Sequence, residues 1–570
     1  MATEKMDADN QVSRYTDVND DEHSEEKVAV TASGQKVVVE DSKVTTKALT
    51  VAAGVTIGGF LFGYDIGVIS GCLIMPDFFR RFEPAGATEL SSQNASLITS
   101  LLSAGTFFGA LAQGPISDRL GRKPALMLWA IIFFIGAILQ VTTFNSIAQI
   151  VVGRFVAGLG VGALSGLCPL YLGETAPAYI RGSIVAGYQL NIIFGIVISY
   201  GITWATSTRA HDSSLSWRIP VGFQLLWAII LFGVMLLLPE SPRWLIARNR
   251  HGDARQVMAE VRGTDLQTLP TGELRGDPAL ERDFDDMAEG IELEKAAFAG
   301  TNWLTAWVKC FSTKQKMWYR TGLGMMLQTL QQLNGQNFYY YYGPVFFSKA
   351  AVSLNAYQIQ FMFGAVSFVC TIPALYLVER IGRRSSLLIG SFGEFACAFI
   401  VAFVGHYALA PSLPDGSPPP PDTLTSAQKN AGNAFIAFAV FHLALFSMFW
   451  GPVPWITLSE MYPSPLRARC ISLGSASNWF WNFMLSYFSN KIAAQYQSFI
   501  MLIFGSILFV SGIFVYFCLP EVRGLTLEQV DDLFESGVSP WRSASWVPTK
   551  GNTNRNMFKR GEKAVRRLEA

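Results

Sequence analysis

Charge is scarce in this chain. Only 15% of its 570 residues are Asp, Glu, Lys or Arg, against roughly 25% in ordinary globular proteins. Half of the residues are hydrophobic, an excess that excludes a string of water-soluble domains and belongs in lipid. The net charge is +1, and no basic stripe is left once the arginines at helix ends are assigned, so nucleic acid is not expected as a partner. Cysteine is also sparse and unpaired in pattern. Cys72, Cys168, Cys310, Cys370, Cys397, Cys470 and Cys518 are scattered, odd in number and without a Cys-x-x-Cys step, which gives neither a disulfide framework nor a zinc site. A nucleotide loop, a metal cluster and a Ser/His/Asp arrangement are all lacking, so an enzyme is not expected, and no cofactor or metal is called for. His442 stands isolated and reads as a helix-packing residue. The first 45 residues are polar and acidic, without the apolar core of a signal peptide, and read as a disordered cytosolic tail.

Long apolar runs are what the chain does have. A helix needs about 20 apolar residues to cross a bilayer, and such runs fall near 49–71, 95–116, 125–143, 147–170, 183–205 and 219–238, then near 320–347, 355–378, 385–408, 433–459, 468–489 and 498–519. The expected fold is an all-α membrane protein of 12 transmembrane helices in two six-helix bundles. Its expected parts are a tail over 1–47, a bundle over 48–238, a charged helical linker over 239–318, a second bundle over 319–520 and a tail over 521–570. Arg/Lys clusters mark the cytoplasmic side, which places both termini and the linker in the cytosol. The proline-rich stretch 411–422 lies outside as a stiff extended loop, and Asn94-Ala95-Ser96 fits a glycosylation acceptor on that side.

The two halves repeat one another. Asp118-Arg119-Leu120-Gly121-Arg122-Lys123 and Glu379-Arg380-Ile381-Gly382-Arg383-Arg384 share one grammar, each between the second and third apolar runs of its half. Each cassette is followed by an acid and an arginine seven apart, Glu174 with Arg181 and Glu460 with Arg467, and then by a Pro-Glu step ending in Glu240 or Glu521. Three features repeated in the same order indicate a duplication. Parallel repeats with charges at the membrane boundaries point to a transporter whose substrate site lies between the halves near the midplane.

The residues at this point resemble the sugar porter family of the major facilitator superfamily over about 48–525. The resemblance rests on Gly153-Arg154-Phe155, Pro169-Leu170-Tyr171 through Glu174, and Pro239-Glu240-Ser241-Pro242-Arg243. It rests equally on Gln331-Gln332-Leu333-Asn334-Gly335-Gln336-Asn337 and Gly451-Pro452-Val453-Pro454-Trp455. Pro520-Glu521-Val522-Arg523-Gly524 departs mildly from the family's usual Pro-Glu-Thr-Lys-Gly, and the run Asn337-Phe338-Tyr339-Tyr340-Tyr341-Tyr342-Gly343 resembles fungal hexose transporters. The resemblance implies an integral membrane protein, expected in the plasma membrane, that carries a monosaccharide such as glucose.

A sugar offers a ring of hydroxyls and no charge, so its site needs neutral amides that donate and accept, with aromatic faces for its C–H surface. Gln328, Gln331 and Gln332 share one face of the seventh helix by their spacing, and Asn337 follows Gly335, where that helix has a place to loosen. The alternative for such amides is hydrogen bonding between helices. By resemblance, Gln189, Gln331, Gln332 and Asn337 take the sugar hydroxyls, and Trp455, Asn478 and Trp479 complete the pocket. Ser367 stands where the family usually has an asparagine. The cassette residues Asp118, Arg122, Glu174, Arg181 and Glu240, with Glu379, Arg383, Glu460, Arg467 and Glu521, are expected to tie the halves together when the cytosolic gate is shut. Asp65 lies inside the first apolar run, where an ionisable group is a functional candidate by default. Arg154 is its expected partner. The pair serves either sugar:proton symport or a structural ion pair in a facilitative uniporter, and a non-transporting sugar sensor is a further alternative.

Overall fold

The computed structural model describes residues 27–30, 36–39 and 45–547, apart from short stretches at 85, 88, 177–180, 211, 269, 271–273, 299–302, 349–353, 411–418, 421–422, 464–465 and 526. Most of the proline-rich loop therefore lies outside the described residues. Within the tail expected to be disordered, Lys27–Val30 pairs antiparallel with Lys36–Val39, their valines suiting a short ladder. That segment is a unit of its own, and residues 46–570 form another.

The second unit is built of helices. The first six spans are Thr46–Cys72, Ser92–Leu120, Arg122–Val141, Ile147–Thr175, Arg181–Arg209 and Leu215–Leu237. Among the described residues, ten continuous stretches are long and apolar enough to cross a bilayer. One of them, Arg467–Cys518, turns at Gln497 (φ 48°) and supplies two crossings, the eleventh over Arg467–Tyr496 and the twelfth over Ile500–Cys518. The seventh crossing escapes that count because it is broken into Met317–Gln332 and Gln336–Ser348, of 16 and 13 residues. Ala356–Ile381, Arg383–Tyr407 and Ser426–Met461 are the eighth, ninth and tenth. Leu237, Ile229, Phe403, Phe509 and Ile513 stand exposed on the outer surface, an apolar belt that a bilayer covers.

The break in the seventh span has a local cause. Gly335 takes φ +95°, a conformation that side chains rarely adopt, with the Phe504 ring packed against the site of its missing Cβ. The helix restarts where the Asn334 side-chain oxygen accepts from the Gln336 amide at 3.1 Å. The tenth span is also irregular. It passes through a wide turn at Phe446–Trp450, and Pro454 has no N–H to offer the Trp450 carbonyl four residues back.

The halves meet along paired seams. The second span packs on the eleventh and the fifth on the eighth. Under a duplication the second and eighth spans are equivalent, as are the fifth and eleventh, so these two seams are one contact made twice. The first span packs against the second segment of the seventh. Hydrogen bonds between the halves join ends remote from the cassettes: Tyr357 Oη donates to the Gly71 carbonyl at 3.3 Å, Asn490 Nδ2 to the Ser92 carbonyl at 3.3 Å, and Gln360 Nε2 to Ser70 Oγ. At the cassette end, helices Pro242–Ala247, His251–Arg262 and Pro278–Phe298 lie between the halves in sequence. They are tied by Arg255 to Glu281 at 3.1 Å, by Arg262 to Asp283, and by Lys47 of the first span to Glu260 at 2.9 Å.

Candidate functional site

Six buried amides converge from the seventh and eleventh spans. Asn478 Nδ2 donates to Gln328 Oε1 at 2.6 Å and to Gln331 Oε1 at 2.7 Å. Gln332 Nε2 donates to Asn478 Oδ1 at 2.8 Å. Gln332 Oε1 accepts from Asn482 Nδ2 at 2.9 Å and from Asn337 Nδ2 across the break. Gln331 Nε2 donates to the Trp450 and Gly451 carbonyls at 3.0 and 2.8 Å, so the carbonyl left free by Pro454 finds its donor here. Gln328 Nε2 is left without a partner. The network also reaches the other half, because Asn482 Oδ1 accepts from Ser103 Oγ of the second span at 2.5 Å and from Tyr341 Oη at 3.1 Å.

The aromatic candidates divide. Trp479 is buried and meets Phe62 of the first span edge to face, ring centroids 5.4 Å apart, which puts an indole on the seam beside the amides. Trp455 is half-buried on the tenth span and Gln189 half-buried on the fifth, and no described hydrogen bond brings either into the amide network. Ser367, the departure from the family pattern, accepts from Tyr340 Oη at 2.9 Å, so the shorter side chain is matched by a tyrosine hydroxyl.

Asp65 and Arg154 meet in the first half. Both are fully buried, and Arg154 Nη1 lies 2.8 Å from Asp65 Oδ1. Arg154 Nε donates to the Ile98 carbonyl at 3.2 Å, and Gln224 Nε2 donates to Asp65 Oδ1 at 2.9 Å. Asp65 Oδ2 and Arg154 Nη2 have no partners. The ion pair is thus singly bonded where a bidentate one is available.

The family model "Sugar (and other) transporter" matches residues 51–534. The chain belongs to this sugar transporter family. Hexose transporter 2 of Kluyveromyces lactis is 35% identical over 535 residues, which cover 93% of this chain and 89% of that one. The galactose transporter of Saccharomyces cerevisiae is 34% identical over 503 residues, covering 88% and 83%. Among solved structures, the partially occluded inward open xylose transporter XylE of E. coli matches with a TM-score of 0.67 at 24% identity, over 85% of this chain and all of that one. The fold is that of the major facilitator superfamily, and the protein is a sugar transporter rather than an enzyme.

The transporter's cassettes are built alike in both halves. Arg122 holds Glu174 through Nε at 3.0 Å and Nη2 at 3.1 Å, and Asp118 at 3.0 Å. Arg383 holds Glu460 at 2.9 and 2.7 Å and Glu379 at 3.0 and 2.7 Å. Each Pro-Glu acid caps a helix. Glu240 Oε1 accepts from the amides of Arg122 and Lys123 at 2.9 and 3.2 Å, and Glu521 from those of Arg383 and Arg384, both at 3.0 Å. Carboxylates suit these positive helix ends. Burial lifts the Glu240 carboxyl above its usual range, and the amides of Ser241, Lys123 and Arg122 offset only part of that. These ion pairs lie within their own halves. Arg467 Nε donates to the Tyr462 carbonyl at 3.4 Å, and the side chain of Arg181 lies outside the described residues.

Sequence reasoning missed Asn482, Ser103 and Gln224. Asn482 is four residues beyond Asn478 and so on the same helix face, a signal that was there to be read. Gln224 is a single polar residue in an apolar stretch and Ser103 one of several hydroxyls on the second span, and only packing shows what they face.

Proposed function

We propose that this transporter moves a monosaccharide, a hexose such as glucose, across the plasma membrane by alternating access, together with a proton handled by Asp65 and Arg154. The observation that carries the sugar reading is the network of neutral amides at the break of the seventh span. Every one of these groups both donates and accepts, and together they exchange bonds among themselves for bonds to sugar hydroxyls. Gln328, Gln331, Gln332, Asn337 and Asn478 would take hydroxyls from the second half, Gln189 would approach from the first, and Trp479 and Trp455 would cover C–H surface. The hexose transporter 2 and galactose transporter of yeasts among the relatives support a hexose.

Proton coupling follows from Asp65. Taking up a proton on the carboxyl removes its charge, so Arg154 is released from its 2.8 Å contact and the first half is free to rearrange. The bundles over 48–238 and 319–520 would rock about the seams between the second and eleventh and the fifth and eighth spans. With the basic cassettes, linker and both termini in the cytosol, the cassette residues Asp118, Arg122, Glu174, Arg181, Glu240, Glu379, Arg383, Glu460, Arg467 and Glu521 would form the inner gate. A facilitative uniporter is the second reading, favoured by Gln224, which gives Asp65 another donor and lets the carboxylate persist without a proton.

The test is uptake of labelled glucose into transporter-null fungal cells expressing the chain, with and without a protonophore. Accumulation above the external level that collapses with the protonophore, and that Asp65→Asn abolishes, is the expected result. Uptake that only equilibrates identifies the uniporter, and no uptake of any monosaccharide returns the sensor.

A further inference from the structure

Away from both sites, an acid and an imidazole are sealed together in the second half. Glu394 of the ninth span and His442 of the tenth are both fully buried. His442 Nδ1 lies 3.3 Å from the Glu394 backbone carbonyl. A carbonyl only accepts, so this contact is a hydrogen bond in the tautomer that carries the proton on Nδ1 and leaves a lone pair on Nε2. That lone pair faces Glu394 Oε2 at 3.9 Å. With an ionised carboxylate, two acceptors would confront each other across that distance, and neither His442 Nε2 nor Glu394 Oε1 has a hydrogen-bond partner.

The surroundings supply no described cation to hold an ionised Glu394. Asn334 Nδ2 donates to Oε2 at 3.3 Å. The Tyr339 ring meets the imidazole edge to face with centroids 5.6 Å apart, and Cys397 lies one turn along the ninth span. The arginines of the packed spans are engaged at the cassette end, Arg383 with Glu379 and Glu460 and Arg384 with the Tyr516 carbonyl, while Lys429 is exposed at the far end of the tenth. A lone buried carboxylate is strongly disfavoured, but one added proton makes the pair neutral and joins Oε2 to Nε2.

We propose that Glu394 and His442 form a second proton-binding site, holding one proton between Oε2 and Nε2, and that its occupancy sets the break of the seventh span through Asn334. The proton comes from water when the site is hydrated and returns to water when it empties, which leaves one negative charge behind. Asn334 is the link, because the amide that donates to Glu394 also caps the restarting helix at Gln336. Asn337, one residue on, donates to Gln332 of the amide network. Emptying the site draws water and the Asn334 amide toward the carboxylate and loosens the register of Asn337. The inference rests on the sugar-transport reading but not on symport through Asp65.

The experiment is sugar counterflow by the full-length protein in vesicles, which needs no net proton movement, measured from acid to alkaline pH. Apparent sugar affinity of the wild type is expected to fall by up to about tenfold per pH unit once the site empties, the limit for one linked proton. Glu394→Gln, permanently neutral, is expected to lose that alkaline fall. Infrared difference spectra between acid and alkaline pH should show a protonated-carboxyl band that Glu394→Gln removes. Should Glu394→Gln not fold, His442→Asn takes its place, with the fall expected to move because the carboxyl has lost its sharing partner. An alkaline fall and carboxyl band unchanged in Glu394→Gln, or a fall unmoved in His442→Asn, overturns the proposal. Loss of accumulation in Asp65→Asn alone bears on symport and leaves this site standing.

Discussion

At the scale of single residues, the amide network shows how far a side chain's role depends on what faces it. Gln328, Gln331 and Gln332 are legible in sequence because helical spacing puts them on one face and polar amides among apolar residues need partners. The partners are less legible. Asn482 holds Gln332, Ser103 and Tyr341 at once, so it joins the two halves at the proposed sugar site. Replacing it with alanine strands the buried hydroxyls of Ser103 and Tyr341 and leaves Gln332 Oε1 with Asn337 alone, at about 1–3 kcal/mol for a group left unpaired. Asn482→Ala is therefore expected to raise the half-saturating sugar concentration by about tenfold or more, with less effect on maximal uptake. Uptake kinetics with normal surface expression check it, and an unchanged half-saturation would remove Asn482 from the site. Glu394, an acid inside the ninth apolar run, was legible by the rule applied to Asp65, but its pairing with His442 was not. They lie on different spans, and an isolated histidine in an apolar run reads as packing until its neighbour is seen.

At the scale of elements, most spans were readable because bilayer thickness imposes their length, and the break of the seventh was hinted at by Gly335. The short helix Pro76–Phe82, which follows the first span, was not anticipated, since its seven residues carry no periodic signal. Its anchor is Asp77, whose carboxylate accepts from Arg81 at 2.6 Å and from Trp217 Nε1 of the sixth span at 2.9 Å. Burial acts to raise the Asp77 carboxyl, but the bonds from Arg81 and Trp217 outweigh it and hold it below the ordinary range. A carboxyl lowered by folding stabilises the fold above its unfolded value, and that contribution is lost as pH falls through the lowered one. The detergent-solubilised transporter is thus expected to lose melting temperature on the acid side. Asp77→Asn should be less stable near neutral pH by about 1 kcal/mol and should show a smaller acid loss. Parallel melting curves across pH decide it, and an identical acid loss in the variant would assign that loss to other carboxyls.

At the scale of the whole molecule, the duplication gives the two halves the same internal bracing at the cassette end. Gly121 at φ +105° and Gly382 at φ +96° each leave room for a Pro-Glu acid, Glu240 or Glu521, to reach the helix end of its own half. With those charges satisfied internally, the cassette end is held by bonds within each half. The opposite end is joined across the halves through Ser70 with Gln360, Gly71 with Tyr357, and Ser92 with Asn490. The alternating access proposed above requires these bonds to part in every cycle, because a substrate entering from that end must pass between the first and eighth spans or the second and eleventh. With Ser70→Cys and Gln360→Cys, at positions buried in this structure and so reached by reagent as that end opens, linking by a short cleavable bifunctional thiol reagent is therefore expected to arrest sugar uptake almost completely, and cleavage of the linker to restore it. The native cysteines are buried or half-buried, so either single substitution treated alike serves as the control. Uptake that continues at the wild-type rate in the linked protein would mean that the two halves do not separate there, and rocking about the paired seams could not be how this molecule works.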